Sequence, residues 1–485
     1  MTAPDEILTR LQRLRAGDAP THGGRVLSYV YDSGRPELDE LAERAAALAR
    51  PLNGLDPTVF PSIAAMERDL IAFARRSFHG GGSVVGSVTS GGTESCLLAV
   101  KTARDLWRRA HPNRAHERPR LVAPQTAHAA FQKAAGLFDL QFDPVPCRAD
   151  GGVDAAAMID RMGDDVALVV VSAPAYPTGE LDPIAPVAAA AADRGISCHV
   201  DACFGGFVLP WWPELPAWDF RVRGVTSLSA DLHKFGYAPK GVSVLLHRGR
   251  RRHRAQFFAT TRWAGYPVVN PTLLGSRSAS PTAAAWAIVQ HLGSRGYAEL
   301  TGSIVRAASG IRSTVQAIDG LRVWGDPVGP ALALVADTAV PADRRVDPHH
   351  LADALTAHGW KIQHQPGFVQ ADGTRLPRSA HLTLTPVLEA GLDDFLASLS
   401  AAADAVRGRP AADPRVLRGA LRALGYGPGG RIPSPSAAWR LLRLAGAGRV
   451  SADQPLATLM ALIEALPAEV AETLLIELLA RHSEP

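Results

Sequence analysis

Three short segments of this chain carry residue types that could do chemistry together. The first, Thr89-Ser90-Gly91-Gly92-Thr93-Glu94-Ser95, stands between a β-branched run and a stretch in which Leu97, Val100, Ala103 and Trp107 share one helical face. Two glycines let the backbone approach an anion, and a helix start offers free N–H groups at a positive dipole end. A simple capped turn uses the same Thr and Ser types. It is not a P-loop, because no Gly-Lys-Ser/Thr follows. The second segment, His199-Val200-Asp201-Ala202-Cys203-Phe204-Gly205-Gly206, is an apolar strand ending in a carboxylate. Open α/β sheets gather ligand-binding groups at such strand ends, and a buried Asp needs a cation or donors, although it could equally cap the next helix. The third runs from Ser227 to Gly236 and sets Lys234 beside His233 in a Ser-rich, mostly apolar neighbourhood. Desolvation there is expected to lower the lysine pKa toward nucleophilic, imine-forming use, whereas an isolated lysine more often sits on an exposed turn.

The three together say more than each alone. A phosphate cup, a carboxylate about thirty residues before a lysine, and that lysine as the covalent anchor are what pyridoxal 5'-phosphate requires. Asp201 would keep the pyridine nitrogen protonated, and Lys234 would hold the aldehyde carbon until a substrate amine displaces it.

These segments resemble the group II pyridoxal-phosphate decarboxylases, and within them the sphingosine-1-phosphate lyase branch. The likeness is carried by Val88–Ser95, Ala123–Phe131, His199–Phe207 and above all Gly224–Gly241 (GVTSLSADLHKFGYAPKG), with Gly275-Ser276-Arg277 and the block from Asp56 to Gly80. It spans about Leu27 to Leu399. The resemblance implies an α/β fold of pyridoxal-phosphate fold type I (aspartate aminotransferase-like). This has a large domain around a mainly parallel, seven-stranded sheet and a smaller α+β carboxyl-terminal domain. It implies Lys234 as the cofactor lysine, Asp201 as the pyridinium partner and His128 stacked on the ring. Gly92, Thr93, Ser229 and His233 would hold the phosphate, and Tyr31, Tyr176 and Lys240 would handle substrate or protons. A desolvated or cation-flanked lysine at 240 suits that role. Asn53, Asp56, Ser276 and Arg277 fall at substrate-pocket positions. There the chain departs from the lyases: Asp56 replaces a histidine, Thr178 another, and Ser278-Ala279 a Pro-Gly. A carboxylate at 56 would repel a substrate phosphate. The resemblance further implies a homodimer with its active site at the subunit interface.

The elements that must position these residues follow from the rest of the chain. Of 485 residues, 47% are hydrophobic and 20% charged, enough for a sizeable core. The net charge of +4 argues against nucleic acid or a membrane surface as partner. Residues 1–55 read as a helical segment, with Leu38, Leu41, Ala45 and Leu48 at helix spacing. From 56 to 297 β-branched runs alternate with amphipathic stretches, the pattern of a parallel sheet with crossover helices. Residues 298–406 read as a smaller α+β domain, and 407–485 as a helical appendage after Pro- and Gly-rich breaks. The four cysteines form no Cys-x-x-Cys pair, and no signal peptide or long apolar run is present. A cytoplasmic protein is expected, without a stable membrane anchor. No histidine cluster has metal spacing, and Arg248–Arg254 reads as a solvated basic loop. The partner expected is a small amine or amino acid. The reaction expected is retro-aldol Cα–Cβ cleavage of a β-hydroxy-amine. Amino-acid α-decarboxylation is the alternative, and a non-catalytic scaffold a remote one.

Overall fold

The computed structural model describes residues 1–413, 415–444 and 455–484. Three helices open the chain: α1 (Pro4–Arg15), α2 (Pro36–Ala49) and α3 (Pro61–Ser77). Each has Pro in its first turn, where the missing N–H costs nothing. Residues 16–35, expected to be helical, are not. Gly23, Gly24 and Gly34 take left-handed φ angles there, as does Tyr29 (φ 60°), and the segment runs on to place Tyr29 and Tyr31.

The large sheet is built from β1 (Val84–Thr89), β2 (Arg120–Pro124), β3 (Gln141–Val145), β4 (Val166–Ser172), β5 (Ser197–Asp201), β6 (Val225–Ala230) and β7 (Ser243–Arg248). β4 reads Val-Ala-Leu-Val-Val-Val-Ser and is buried at every position, as a strand covered on both faces must be. The spatial order is β1-β7-β6-β5-β4-β2-β3. Neighbours from β6 to β3 pair in parallel, and β7 runs antiparallel to both β1 and β6. Crossovers pass through α4 (Gly92–Ala110), α5 (Ala130–Phe138), α6 (Ala155–Asp160) and α7 (Ile184–Asp193). Thr89, Ser172, Asp201 and Ala230 therefore end their strands along one edge of the sheet, beside Ser243 at the start of β7.

The basic run is not a solvated loop. It closes β7 and forms α8 (Arg250–Gln256). Arg248 donates to the carbonyls of Val225 (2.8 Å) and Phe220 (2.7 Å), and Arg252 to Ser197 Oγ (2.7 Å). The Arg248 guanidinium thus satisfies backbone carbonyls that water would otherwise have to reach.

A hairpin of β8 (Phe258–Thr260) and β9 (Val268–Asn270) leads into α9 (Ser280–Ala317). This helix bends at Gly293, whose φ of 51° and ψ of −169° no side chain would favour. The boundary drawn at 297 thus falls inside α9, which also packs on α2 and α3. The smaller sheet has the order β10-β11-β15-β12, with β10 (Leu321–Val323), β11 (Ala331–Ala336) and β12 (Gln363–Gln365). A hairpin of β13 (Phe368–Val369) and β14 (Arg375–Leu376) precedes β15 (Ser379–Thr383). Helix α10 (Pro348–Ala357) covers this sheet, and α11 (Leu392–Val406) packs on α10 and α9. In the appendage lie α12 (Arg415–Ala423), α13 (Pro435–Leu444), α14 (Ala457–Ala465) and α15 (Ala468–Ser483); Pro414, 445–454 and Pro485 are outside the described residues. Among the described residues no helix is long and apolar enough to cross a membrane.

Candidate active site

A cavity of about 540 Å³ opens at the carboxyl edge of the large sheet, a size suited to a small organic ligand. Its wall includes Gly92, Thr93, His128, Tyr176, Asp201, His233, Lys234 and Tyr31. Residues predicted from six separate stretches of sequence therefore meet around one space.

Lys234 lies on the turn that follows β6. Its Nζ is 3.1 Å from Asp231 Oδ2, and Asp231 also accepts from Ser243 Oγ at 2.6 Å. Burial pulls the Lys234 ammonium down, but Asp231, with Tyr31 and Cys203, outweighs it and holds the group well above its ordinary value. Desolvation therefore does not win at Lys234, contrary to the sequence expectation, because an acid three residues earlier supplies a buried counter-charge. Burial raises Asp231 itself, yet Lys234, His233 and Ser243 together leave its carboxyl strongly depressed. His233 Nδ1 accepts from the N–H groups of Gly241 and Val242 (both 3.3 Å), and its Nε2 faces Asp231 at 3.4 Å.

Asp201 ends β5 in register with Ser172 on one side and Ser229 on the other. Its Oδ1 accepts from the Cys203 N–H at 3.0 Å and the Ser229 hydroxyl at 3.4 Å. Ser229, expected at the phosphate, lies instead beneath the cavity. It shares a sheet face with Asp201, and its hydroxyl is taken up there by Asp201, His199 Nε2 (3.1 Å) and Cys203 Sγ (3.1 Å). Burial keeps His199 neutral, down to about 4.

The turn before α4 is bare backbone. A Cβ at Gly92 would stand 2.7 Å from Asp231 Oδ2 and 2.9 Å from Cys203 Sγ, and one at Gly91 would stand 3.0 Å from the His233 ring. Only glycine fits this packing, and it leaves the helix start open to an anion. Glu94 does not oppose that anion: its buried carboxylate accepts from the Ser90 and Leu273 N–H groups, both at 2.6 Å. His128 stands on the wall with Nδ1 accepting from the Ala130 N–H at 3.1 Å. Bare N–H groups, a strand-end carboxylate and a lysine around one cavity match pyridoxal phosphate in donor chemistry and in space.

Lys240 stands just outside the wall. Its amine donates to the His233 carbonyl at 2.8 Å and lies 4.4 Å from the Tyr31 ring centre. Burial of the amine, then the Lys234 charge, pulls it down to about 8. Tyr31 packs edge-on against Phe235 at 5.2 Å, and burial holds its phenol well above the ordinary range. Burial likewise pushes Tyr176 up to about 12.

Asn53, Asp56, Ser276 and Arg277 are not among the residues lining this cavity. Three of them form a second cluster. Asn53 Nδ2 donates to Ser276 Oγ at 3.2 Å, Asn53 Oδ1 accepts from the Arg277 N–H at 3.3 Å, and the Arg277 guanidinium is paired with Glu67. Asp56 is exposed and is spent on its own turn, accepting from the Thr58 N–H (2.8 Å) and hydroxyl (2.6 Å). Conversely, the cavity contains residues that sequence reasoning gave no role. Asp231 had a signal, an acid three positions before the lysine. Tyr29 lies two residues from Tyr31. Gln363, on β12, had none.

The model of the pyridoxal-dependent decarboxylase conserved domain matches residues 54–329. Rat sphingosine-1-phosphate lyase 1 is 36% identical over 79% of this chain, which spans only 64% of that relative's length. The Arabidopsis thaliana sphingosine-1-phosphate lyase is 33% identical over 88% of this chain and 76% of its own. The solved structure of the Burkholderia pseudomallei sphingosine-1-phosphate lyase superposes with a TM-score of 0.76 at 32% identity, covering 87% of this chain and 94% of that one. The fold is accordingly fold type I. The chain belongs to the pyridoxal-dependent decarboxylase family, alongside the sphingosine-1-phosphate lyases, and its cofactor is pyridoxal 5'-phosphate.

Proposed function

We propose that the chain is a carbon–carbon lyase that cleaves the Cα–Cβ bond of a β-hydroxy-amine, releasing an aldehyde and an amine. One observation carries the reading: Lys234, Asp201 and the bare start of α4 face one cavity. Similarity to sphingosine-1-phosphate lyases favours this cleavage over amino-acid decarboxylation. Bound in this cavity, the cofactor supplies an electron sink for the pair left at Cα when the bond breaks.

The chain does the rest. Lys234 Nζ is the covalent anchor, kept in place by Asp231. The Asp201 carboxylate, steadied by the Cys203 N–H, holds a proton at the ring nitrogen. The N–H groups of Gly92 and Thr93 would take the phosphate and His128 would cover one ring face, while His233, expected at the phosphate, has both ring nitrogens spent on the Gly241 and Val242 N–H groups and on Asp231. Tyr176 orients the substrate's β-hydroxyl. Lys240, neutral in part near pH 8 and 4.4 Å from the ring centre of the cavity residue Tyr31, is the base to which the hydroxyl proton passes once Tyr176 has oriented the hydroxyl.

The cluster of Asn53, Ser276 and Arg277 enters the reading through a homodimer, in which one copy's cluster completes the other's cavity. Exposed Phe258, Trp263, Tyr266, Val269 and Leu273 around the β8–β9 hairpin support such an interface. A cytoplasmic setting fits four buried, unpaired thiols.

The test is product identity. Incubated with a phosphorylated sphingoid base and with an amino-acid panel, the purified enzyme should yield aldehyde from the first and no CO2 from the second. CO2 without aldehyde would replace this reading with decarboxylation. Borohydride reduction followed by peptide mapping should place the cofactor on Lys234, and Lys234→Ala should abolish both label and turnover.

A further inference from the structure

The hydroxyl of Tyr176 has an assigned use but also an unassigned partner. It donates to Gln363 Oε1 at 2.6 Å, and Gln363 Nε2 donates to the Tyr29 hydroxyl at 2.9 Å. All three side chains line the cavity, yet they come from three distant parts of the chain. Tyr29 lies before the large domain, Tyr176 follows β4, and Gln363 belongs to β12 of the smaller sheet.

Gln363 is fixed independently of the tyrosines. It sits opposite His381 in the β12–β15 pairing. His381 in turn grips Tyr176 twice: Nε2 lies 2.9 Å from the Tyr176 carbonyl oxygen, and the two rings stack at 4.3 Å and 27°. The next residue, His364, bonds Asp353 at 3.0 Å, and Asp353 also accepts from the N–H groups of Leu456 (2.8 Å) and Ala457 (3.2 Å) ahead of α14. The appendage thereby ties down the strand that carries the amide.

A phenol has one proton to give and lone pairs to accept with. When that proton is committed to an amide oxygen, the phenol oxygen meets a ligand as an acceptor. A β-hydroxyl that is about to lose its proton is a donor, so the two match.

We infer that Gln363 is a positioning residue: bridging Tyr176 and Tyr29, it commits the Tyr176 proton and so presents that oxygen as the acceptor for the substrate's β-hydroxyl. This rests on the carbon–carbon lyase reading above. It makes Gln363 a determinant of selectivity for β-hydroxy-amines over amines that lack the hydroxyl.

The experiment compares the full chain with its Gln363→Met and Gln363→Glu variants, all loaded with cofactor, on a phosphorylated sphingoid base. Methionine keeps the volume and removes both hydrogen bonds, whereas glutamate can still accept from Tyr176. Gln363→Met should lower kcat for aldehyde release about ten-fold, the worth of one aligned hydrogen bond, with KM within about two-fold. Gln363→Glu should recover most of that loss. Fluorine NMR of fluorotyrosine-labelled chain, assigned with Tyr176→Phe and Tyr29→Phe, supplies a readout apart from turnover. Both resonances should move in Gln363→Met, and the Tyr176 resonance should stay in place in Gln363→Glu. Resonances unmoved in Gln363→Met, or an unimpaired kcat there, overturn the inference alone. Glutamate as damaging as methionine also overturns it, since the acceptor would then be irrelevant. A wild-type enzyme that releases CO2 and no aldehyde instead overturns the lyase reading and the role of Tyr176 with it.

Discussion

Replacing Asp231 by Asn gives the sharpest test of the electrostatics at Lys234. With an effective dielectric of about 20, unit charges 3.1 Å apart attract by about 5 kcal/mol. Both side chains are shielded, with 22% of Lys234 and 1% of Asp231 exposed, so solvent screens little of this. Removing one partner of a buried pair costs roughly 3–5 kcal/mol, and the lysine can lose its proton to limit the damage, so a loss of about 3 kcal/mol at neutral pH is expected. The pH dependence makes the prediction specific. In the wild type the depressed Asp231 stabilises above its unfolded value of about 3.9, and the raised Lys234 stabilises below about 10.4, so between them the pair contributes a constant amount. In the variant burial, the largest influence on Lys234 and a lowering one, is no longer answered by Asp231, and Tyr31 and Cys203 carry no charge near neutral pH because burial raises both. The unfolded chain then binds more protons from that lowered value up to about 10.4, so the variant regains stability as pH rises. Urea unfolding of cofactor-free wild type and Asp231→Asn at pH about 7 and about 9 measures this as a shrinking gap between the two. A gap below about 1 kcal/mol, or one that stays constant with pH, would refute the pairing as the reason Lys234 is held protonated.

Three further outcomes follow from the same geometry. Lys240 becomes neutral above about 8, so the rate of aldehyde release should rise through that value, and Lys240→Met should lose that limb of the pH profile while keeping bound cofactor. Gly92→Ala forces a Cβ to within 2.7 Å of Asp231 and 2.9 Å of Cys203; cofactor affinity, read by spectral titration, should fall at least about ten-fold, equivalent to about 1.4 kcal/mol. Burial depresses His199 and His381 to about 4 and His247 to about 3. The unfolded chain therefore binds more protons below about 6.5, and the melting temperature should fall steadily from there toward pH about 4. A melting temperature that holds level over that range would contradict the burial of these rings as neutral groups.

Much of this site was legible in the sequence because its cofactor-facing parts are local. A strand that ends in Asp201, a helix that begins at Gly92-Thr93 and a turn that holds His233 and Lys234 each need only a few consecutive residues. An open parallel sheet must gather its strand ends along one edge. Order and residue type, with the family likeness they carry, therefore sufficed to name the cofactor. Tertiary packing decided what those side chains experience. Lys234 keeps its proton because Asp231 lies 3.1 Å away in a buried turn. The Ser229 hydroxyl is taken up by His199, Cys203 and Asp201, and Arg277 is consumed by Glu67. Gln363 meets Tyr176 across 187 residues of chain, from a different sheet. A side chain's charge state and hydrogen bonds are sums over spatial neighbours, and spacing along the chain encodes only those neighbours that are also close in sequence.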